Sequence, residues 1–445
     1  MFDIFFYHFH TNFQKFFKGC ALHLFKAILI SCVTTLLALQ FSYTYAAVPT
    51  PTKAVQEQEK IEKISLVWPP IASAVQYELN IIDPVTMQQV LNIKPIYAAG
   101  YELDAKSLPE NPGKFLWQVR GLDYDGQPVN NYSQPEPLNK ASINANSPIT
   151  TTQFEQMAYT PLYPVYSWIP YLRAAKYTVR IYYGEDDNSL TPAKLINEYQ
   201  VNGHDSFDFY DPASYTQAGQ YYWTVQARDI NNLPISRWSA PVKFYVTTQN
   251  ITTAALGDSI THGGGAISTP PGYTLYDWQT YSSVPVLNLG YSGDTTAAML
   301  QRFAKDVLPF HPRILVIMGG VNDVRTGVSA EESIQNLSAI RDLCIKNHII
   351  PVMVTASPIC PQKMQETIDI TPAPDWQEQL SLLNHWILSY PGSIDTYLLL
   401  SDNQGLLKSN LTTDGLHPDA TGKRIIGETI AASLRQSYPN IFTQQ

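Results

Sequence analysis

Cysteine is scarce in this chain, with four in 445 residues, and only Cys344 and Cys360 lie beyond the first 46. No C-x-x-C pair and no histidine-rich cluster accompanies them, so neither a disulfide framework nor a zinc site is expected. In an exported chain the two could pair. Cys344 sits in a helical pattern and Cys360 past the end of a strand, so two separate thiols fit better. Charge is also sparse: charged residues make up 15% of the chain, and the net charge is -9. No basic run occurs, which removes the electrostatic footprint of nucleic-acid binding. Long apolar runs are missing too. The stretch Ala27–Leu39 is short of the ~20 residues a membrane-spanning helix needs.

That stretch has another reading. Lys15, Lys18 and Lys26 precede or border it, and Thr44-Tyr45-Ala46 follows with small residues where a signal peptidase reads. Residues 1–46 are therefore expected to be a signal peptide, with export to the periplasm, cell surface or medium after cleavage near Ala46. A retained anchor is the alternative. Leu29-Ile30-Ser31-Cys32 mimics a lipoprotein site, but the apolar run continues past it.

What the chain does have is β-rich composition, with 32 prolines and 28 tyrosines, and an internal repeat. Ser65-Leu66-Val67-Trp68-Pro69-Pro70 leads to Ala74-Val75-Gln76-Tyr77. About 100 residues on, Tyr166-Ser167-Trp168-Ile169-Pro170 leads to Ala174-Ala175-Lys176-Tyr177. Leu116-Trp117-Gln118-Val119 likewise answers to Tyr222-Trp223-Thr224-Val225. Alternating apolar and polar residues split by Pro, Gly and Asn turns predict half-buried antiparallel strands. Two β-sandwiches are expected, over residues 60–145 and 153–247. The early Trp before Pro and the later W-x-V strand resemble fibronectin type III or related immunoglobulin-like domains. The aromatic residues suggest sugar platforms, but most fall on the inward phase of a strand, where core packing is the better account.

From residue 253 the period changes. Strand-like runs at 253–256, 284–289, 313–318, 349–355 and 394–400 alternate with helix-length stretches at 296–307, 330–347, 375–389 and 420–436. This alternation predicts a three-layer α/β domain with a parallel, flavodoxin-like sheet over residues 253–440. The whole is a multidomain chain: two β-sandwiches, then α/β.

Gly257-Asp258-Ser259-Ile260-Thr261 stands where the first of these strands breaks into a glycine-rich turn. A serine there is presented at the carboxyl edge of the sheet, where open α/β sheets bind ligands. To act as a nucleophile it needs a base. His417, three residues after Asp414, offers one, with a carboxylate near enough to orient the imidazole; an isolated D-x-x-H would read instead as Asp414 capping the next helix and His417 on the surface. His311, His348 and His385 lack a matching carboxylate and turn. His262, three residues along the same turn, is poorly aimed at Ser259 and is expected to be a pocket or structural residue. By themselves Gly293 and Asn322 read equally well as a turn glycine and a helix cap.

Four blocks now stand in order: Gly257-Asp258-Ser259, Ser292-Gly293-Asp294, Gly320-Val321-Asn322-Asp323 and Asp414-Gly415-Leu416-His417. They resemble the SGNH (GDSL) hydrolases, a family of esterases and lipases, over about 190 residues. The resemblance implies that Ser259 attacks an ester carbonyl, His417 takes its proton and Asp414 supports His417. It implies an oxyanion hole formed by the Ser259 N–H, the Gly293 N–H and the Asn322 amide. No cofactor or metal is implied. The substrate would be a small acyl ester or an acylated glycan, with the β-sandwiches serving cell-surface or polysaccharide attachment. Lysophospholipase or thioesterase action on lipid acyl groups is the alternative. A catalytically silent binding protein is a third reading, disfavoured because Ser259, Asp414 and His417 are all present. The aromatics Tyr273, Tyr276, Trp278 and Tyr281 could line a pocket or pack a loop. Since every block lies beyond residue 253, residues 253–445 alone are expected to hydrolyse short esters.

Overall fold

The computed structural model describes residues 63–442, except 72–73, 139–145, 153, 185–193, 204–206, 264–274 and 276. The expected signal peptide lies outside these residues, as do Tyr273 and Tyr276. Among the described residues no helix is long and apolar enough to cross a membrane.

The first β region comprises β1 (Lys63–Val67), β2 (Gln76–Ile82), β3 (Gln89–Ile96), β4 (Gly100–Asp104), β5 (Leu116–Leu122) and β6 (Glu136–Pro137). The second comprises β7 (Val165–Ser167), β8 (Lys176–Gly184), β9 (Lys194–Asn202), β10 (Asp208–Tyr210), β11 (Gly219–Arg228) and β12 (Val242–Val246). The internal repeat is visible in the topology. The first region has sheets β3-β2-β5-β6 and β1-β4; the second has β9-β8-β11-β12 and β7-β10. All these pairs are antiparallel.

The repeated aromatics explain the recurrence. Trp68 packs against Tyr77 with ring centroids 5.5 Å apart, and Trp168 against Tyr177 at 5.1 Å. In each copy the tyrosine hydroxyl accepts a backbone N–H from six residues earlier, Ile71 at 3.3 Å and Tyr171 at 2.8 Å. Trp68, Trp117, Trp168 and Trp223 are all buried, so they are core residues and not sugar platforms.

The C-terminal region is built on β13 (Thr253–Gly257), β14 (Leu287–Asn288), β15 (Ile314–Met318) and β16 (Ile350–Met353). They form a parallel sheet in the order β14-β13-β15-β16. Its helices are α1 (Ser259–His262), α2 (Thr296–Asp306), α3 (Val321–Arg325), α4 (Ala330–Lys346), α5 (Pro361–Ile368), α6 (Trp376–Leu388), α7 (Tyr397–Leu400), α8 (Ala420–Ser437) and α9 (Pro439–Phe442).

Two strands depart from expectation. The run at 284–289 pairs only at Leu287–Asn288, because Pro285 brings no N–H to a ladder. The run at 394–400 is not a strand. Ile394 alone bridges to Val354, and Tyr397–Leu400 turns helical. The backbone N–H groups of Thr396 and Tyr397 both donate to Thr355 Oγ1, at 3.0 and 2.9 Å, so a side chain replaces the ladder there. A short apolar run does not distinguish helix from strand by its period, and α5 was not anticipated at all. Cys344 and Cys360 are unpaired.

One contiguous apolar cluster runs from Phe154 in the second β region through the α/β sheet to Phe442. A separate one, from Ile64 to Leu138, reaches Ala420 at the start of α8. The second β region and the α/β region therefore share a core, which revises the expectation that residues 253–445 suffice alone. Produced alone, they should precipitate or melt well below the full chain in a thermal scan. A soluble monomer with unchanged melting would contradict the shared core.

Candidate active site

Ser259 opens α1 directly after β13. Asp258 caps the helix, its Oδ1 accepting the Ile260 N–H at 2.9 Å. The turn is tight: a Cβ on Gly257 would lie 2.3 Å from Thr261 Oγ1 and 2.5 Å from Met318 O, which only glycine avoids. As the first residue of α1, Ser259 has an N–H with no acceptor inside its helix.

His417 reaches Ser259 from the other end of the domain. Its Nε2 lies 2.9 Å from Ser259 Oγ, and its Nδ1 lies 2.7 Å from Asp414 Oδ2. A carboxylate only accepts, so Nδ1 carries the proton and the Nε2 lone pair faces the serine hydroxyl. Asp414 Oδ1 accepts the N–H groups of Leu416 and His417, at 2.9 and 2.8 Å. Burial works to raise the Asp414 pKa. The neighbouring His417 and these hydrogen bonds outweigh it and hold the carboxyl below the usual carboxylate range. Thr412 Oγ1 closes the turn, donating to His417 O and accepting the Gly415 N–H. Ser259, Asp414 and His417 are thus brought together in the arrangement of a serine nucleophile, base and orienting acid.

Gly293 lies in the loop after β14, with φ +88° and no atom within 4 Å of where a Cβ would point. The left-handed backbone, not crowding, demands glycine there. Asn322 sits at the start of α3. Its Nδ2 donates to Asp294 O at 2.9 Å, and its Oδ1 accepts from Arg325 Nε at 2.8 Å. These two bonds fix the direction of the amide and leave one N–H of Nδ2. Asp323 anchors the far end of the same loop, both carboxylate oxygens accepting the Thr296 N–H. Among the described residues no group of histidine, cysteine, aspartate and glutamate could hold a metal.

Residues 255–425 match the GDSL-like Lipase/Acylhydrolase family. The C-terminal part of the chain is a GDSL-like lipase/acylhydrolase domain. No curated protein matches. Among solved structures, the chain is similar to a GDSL-like lipase from Bacteroides thetaiotaomicron VPI-5482, at 21% identity over 43% of this chain and 91% of that one, with a TM-score of 0.35. A lipase/acylhydrolase from Enterococcus faecalis is similar at 22% identity over 42% and 97%, with a TM-score of 0.31. A mutant acetyl-xylooligosaccharide esterase from Geobacillus stearmophilus is similar at 20% identity over 42% and 93%, with a TM-score of 0.30.

Behind the serine of the GDSL-like domain lie buried groups that the motif blocks do not reveal. Lys423 of α8 is fully buried and donates to Ile260 O at 2.6 Å. Burial lowers its pKa to about 8, against the opposing pull of Asp277 and Asp258. Asp258 is raised to about 6, chiefly by burial. Arg302 ties the sheet edge together, donating to Gly257 O, Leu289 O and Asp294 Oδ2 at 3.0, 2.7 and 2.5 Å. The i, i+3 spacing of Asn322 and Arg325 was a readable signal for their contact; the others are long-range. Trp278 is fully buried, and the Tyr281 hydroxyl donates to Leu275 O at 2.8 Å, so these two aromatics pack.

His262 is 4% exposed, as expected of a structural residue, and burial lowers its pKa from 6.5 to about 4. A histidine depressed in the fold binds fewer protons folded than unfolded between those values. Its contribution to stability is complete above pH 6.5 and lost as pH falls toward 4. The opposite shift of Asp258 is common to wild type and variant and cancels in their difference. The stability advantage of wild type over His262→Gln should therefore shrink by up to about 3 kcal/mol across that range, as measured by urea unfolding. A pH-independent difference would show that His262 is not held neutral by burial.

Proposed function

We propose that the protein is an exported serine esterase that hydrolyses carboxylic acyl esters through an acyl-enzyme. The observation that carries this is the 2.9 Å approach of His417 Nε2 to Ser259 Oγ, with Asp414 on Nδ1 at 2.7 Å. In this reading Ser259 Oγ attacks the ester carbonyl as His417 takes its proton. The carbonyl oxygen, now negative, is held by the Ser259 and Gly293 N–H groups and the free N–H of Asn322. His417 then gives its proton to the leaving alcohol. Water, deprotonated by the same imidazole, frees the acid and restores the serine. The chemistry uses only side chains and backbone of this chain.

The β regions belong to the same reading as two fibronectin type III-like sandwiches. Their matching strand orders support it. Tandem modules of this kind on an exported enzyme favour O-acyl groups on glycans as the substrate class, the modules positioning the enzyme on a surface or polymer.

Two expected outcomes test the proposal. Ser259→Ala should lower kcat on p-nitrophenyl acetate by at least about 1000-fold with an unchanged circular dichroism spectrum; wild-type turnover would remove the nucleophile. In a panel of p-nitrophenyl esters of rising chain length, acetylated oligosaccharides and lysophosphatidylcholine, the acetylated sugars should give the highest kcat/KM. A preference for lysophosphatidylcholine would transfer the substrate to lipid esters.

A further inference from the structure

We infer that His262 is a positioning residue for the loop carrying Gly293, and that Tyr163 of the second β region sets it in that role. The inference rests on the reading of Gly293 as an oxyanion donor. His262 Nε2 lies 2.8 Å from the Tyr163 carbonyl oxygen. A carbonyl only accepts, so Nε2 bears the hydrogen. Nδ1 is then an acceptor, and it receives the Ser292 N–H at 3.1 Å and the Ser292 hydroxyl at 2.9 Å. A burial-lowered pKa of about 4 agrees with a neutral ring that has one donor and one acceptor. Ser292 immediately precedes Gly293, so the imidazole fixes the peptide plane next to the proposed oxyanion donor.

The same contact holds the loop at several points. Gly290 lies so close to α1 that a Cβ would meet His262 N at 2.4 Å. Asn288 Nδ2 donates to His262 O at 3.1 Å, and Tyr291 stacks on the imidazole with 6.1 Å between ring centroids. The second β region meets this assembly at further places. The Leu162 N–H donates to Asn288 O at 2.9 Å. The Tyr163 hydroxyl donates to buried Asp306 Oδ2 at 2.6 Å. The Tyr210 ring sits edge-on to His262 at 5.3 Å. Arg302 and Lys423 are the cations that act on His262, and both oppose its protonation. The second β region is therefore part of the active-site framework as well as a neighbour of the catalytic domain. The Tyr163 carbonyl accepts from His262 Nε2 on one side, which leaves Nδ1 to accept the Ser292 N–H on the other.

The test uses the full chain. In His262→Ala, kcat on p-nitrophenyl acetate should fall about 100-fold, near the loss of one oxyanion donor, while KM stays within about threefold. Affinity for phenylboronic acid, whose adduct with serine mimics the tetrahedral oxyanion, should fall in parallel. His262→Gln should recover at least about tenfold of the loss, because its carboxamide offers a donor and an acceptor side by side. Selective 15N labelling of histidine in the wild-type protein should show His262 protonated at Nε2 only, and not titrating between pH 5 and 8. That measurement stands even if His262→Ala does not fold. Wild-type kcat and boronate affinity in His262→Ala, equal damage in the Gln variant, or a proton on Nδ1 would each overturn the inference. An inactive wild-type protein or an active Ser259→Ala would instead sink the esterase reading, and would leave the tautomer result untouched.

Discussion

A hydroxyl on one side of the sheet edge and an imidazole 158 residues later meet at 2.9 Å, and the rest of the structure is arranged around that meeting. Serine is a weak nucleophile until a base accepts its proton. An imidazole is a base at the right atom only when its other nitrogen is committed elsewhere. Asp414 makes that commitment, and backbone N–H groups from its own turn keep it ionised. β13 delivers Ser259, the turn before α8 delivers His417, and Lys423 on α8 ties back to Ile260 behind the serine. Ser259 and His417 are thus fastened to each other twice.

The two histidines of the site show how neighbours decide chemistry. His417 has a carboxylate at Nδ1 and presents a lone pair at Nε2. His262 has a carbonyl at Nε2 and presents a lone pair at Nδ1. The same ring turns its lone pair to a serine hydroxyl in one place and to the loop at Ser292 in the other, and only the partners differ. One partner, Tyr163, belongs to the second β region, and a single apolar cluster crosses from that region into the α/β region. Burial of Leu162 and Tyr163 at this junction leaves little room for the two regions to move apart without exposing core.

The juxtaposition of Ser259, Asp414 and His417 was legible because each block is local. A glycine-rich break after an apolar strand places Ser259, and a three-residue spacing places Asp414 beside His417. The helices at 296–306, 330–346, 376–388 and 420–437 were also legible, because their amphipathic period is long enough to be unambiguous. The run at 394–400 misled because leucine-rich segments of that length fit helix or strand, and a distant side chain, Thr355, decided the outcome. The Tyr163–His262–Ser292 contacts were illegible for a different reason. They depend on a backbone carbonyl 99 residues from the histidine, and no side-chain pattern announces which carbonyl a fold will bring near. The role expected for His262, a pocket or structural residue, was right in kind but had no partner attached to it.

If Ser259 is a base-activated nucleophile, covalent trapping reads it directly. Full-length protein treated with a fluorophosphonate at neutral pH should gain one adduct, located on Ser259 by peptide mass spectrometry. His417→Ala should label far more slowly at the same site. No adduct, an adduct on another serine, or equal labelling rates in both proteins would mean that Ser259 is not a nucleophile activated by His417.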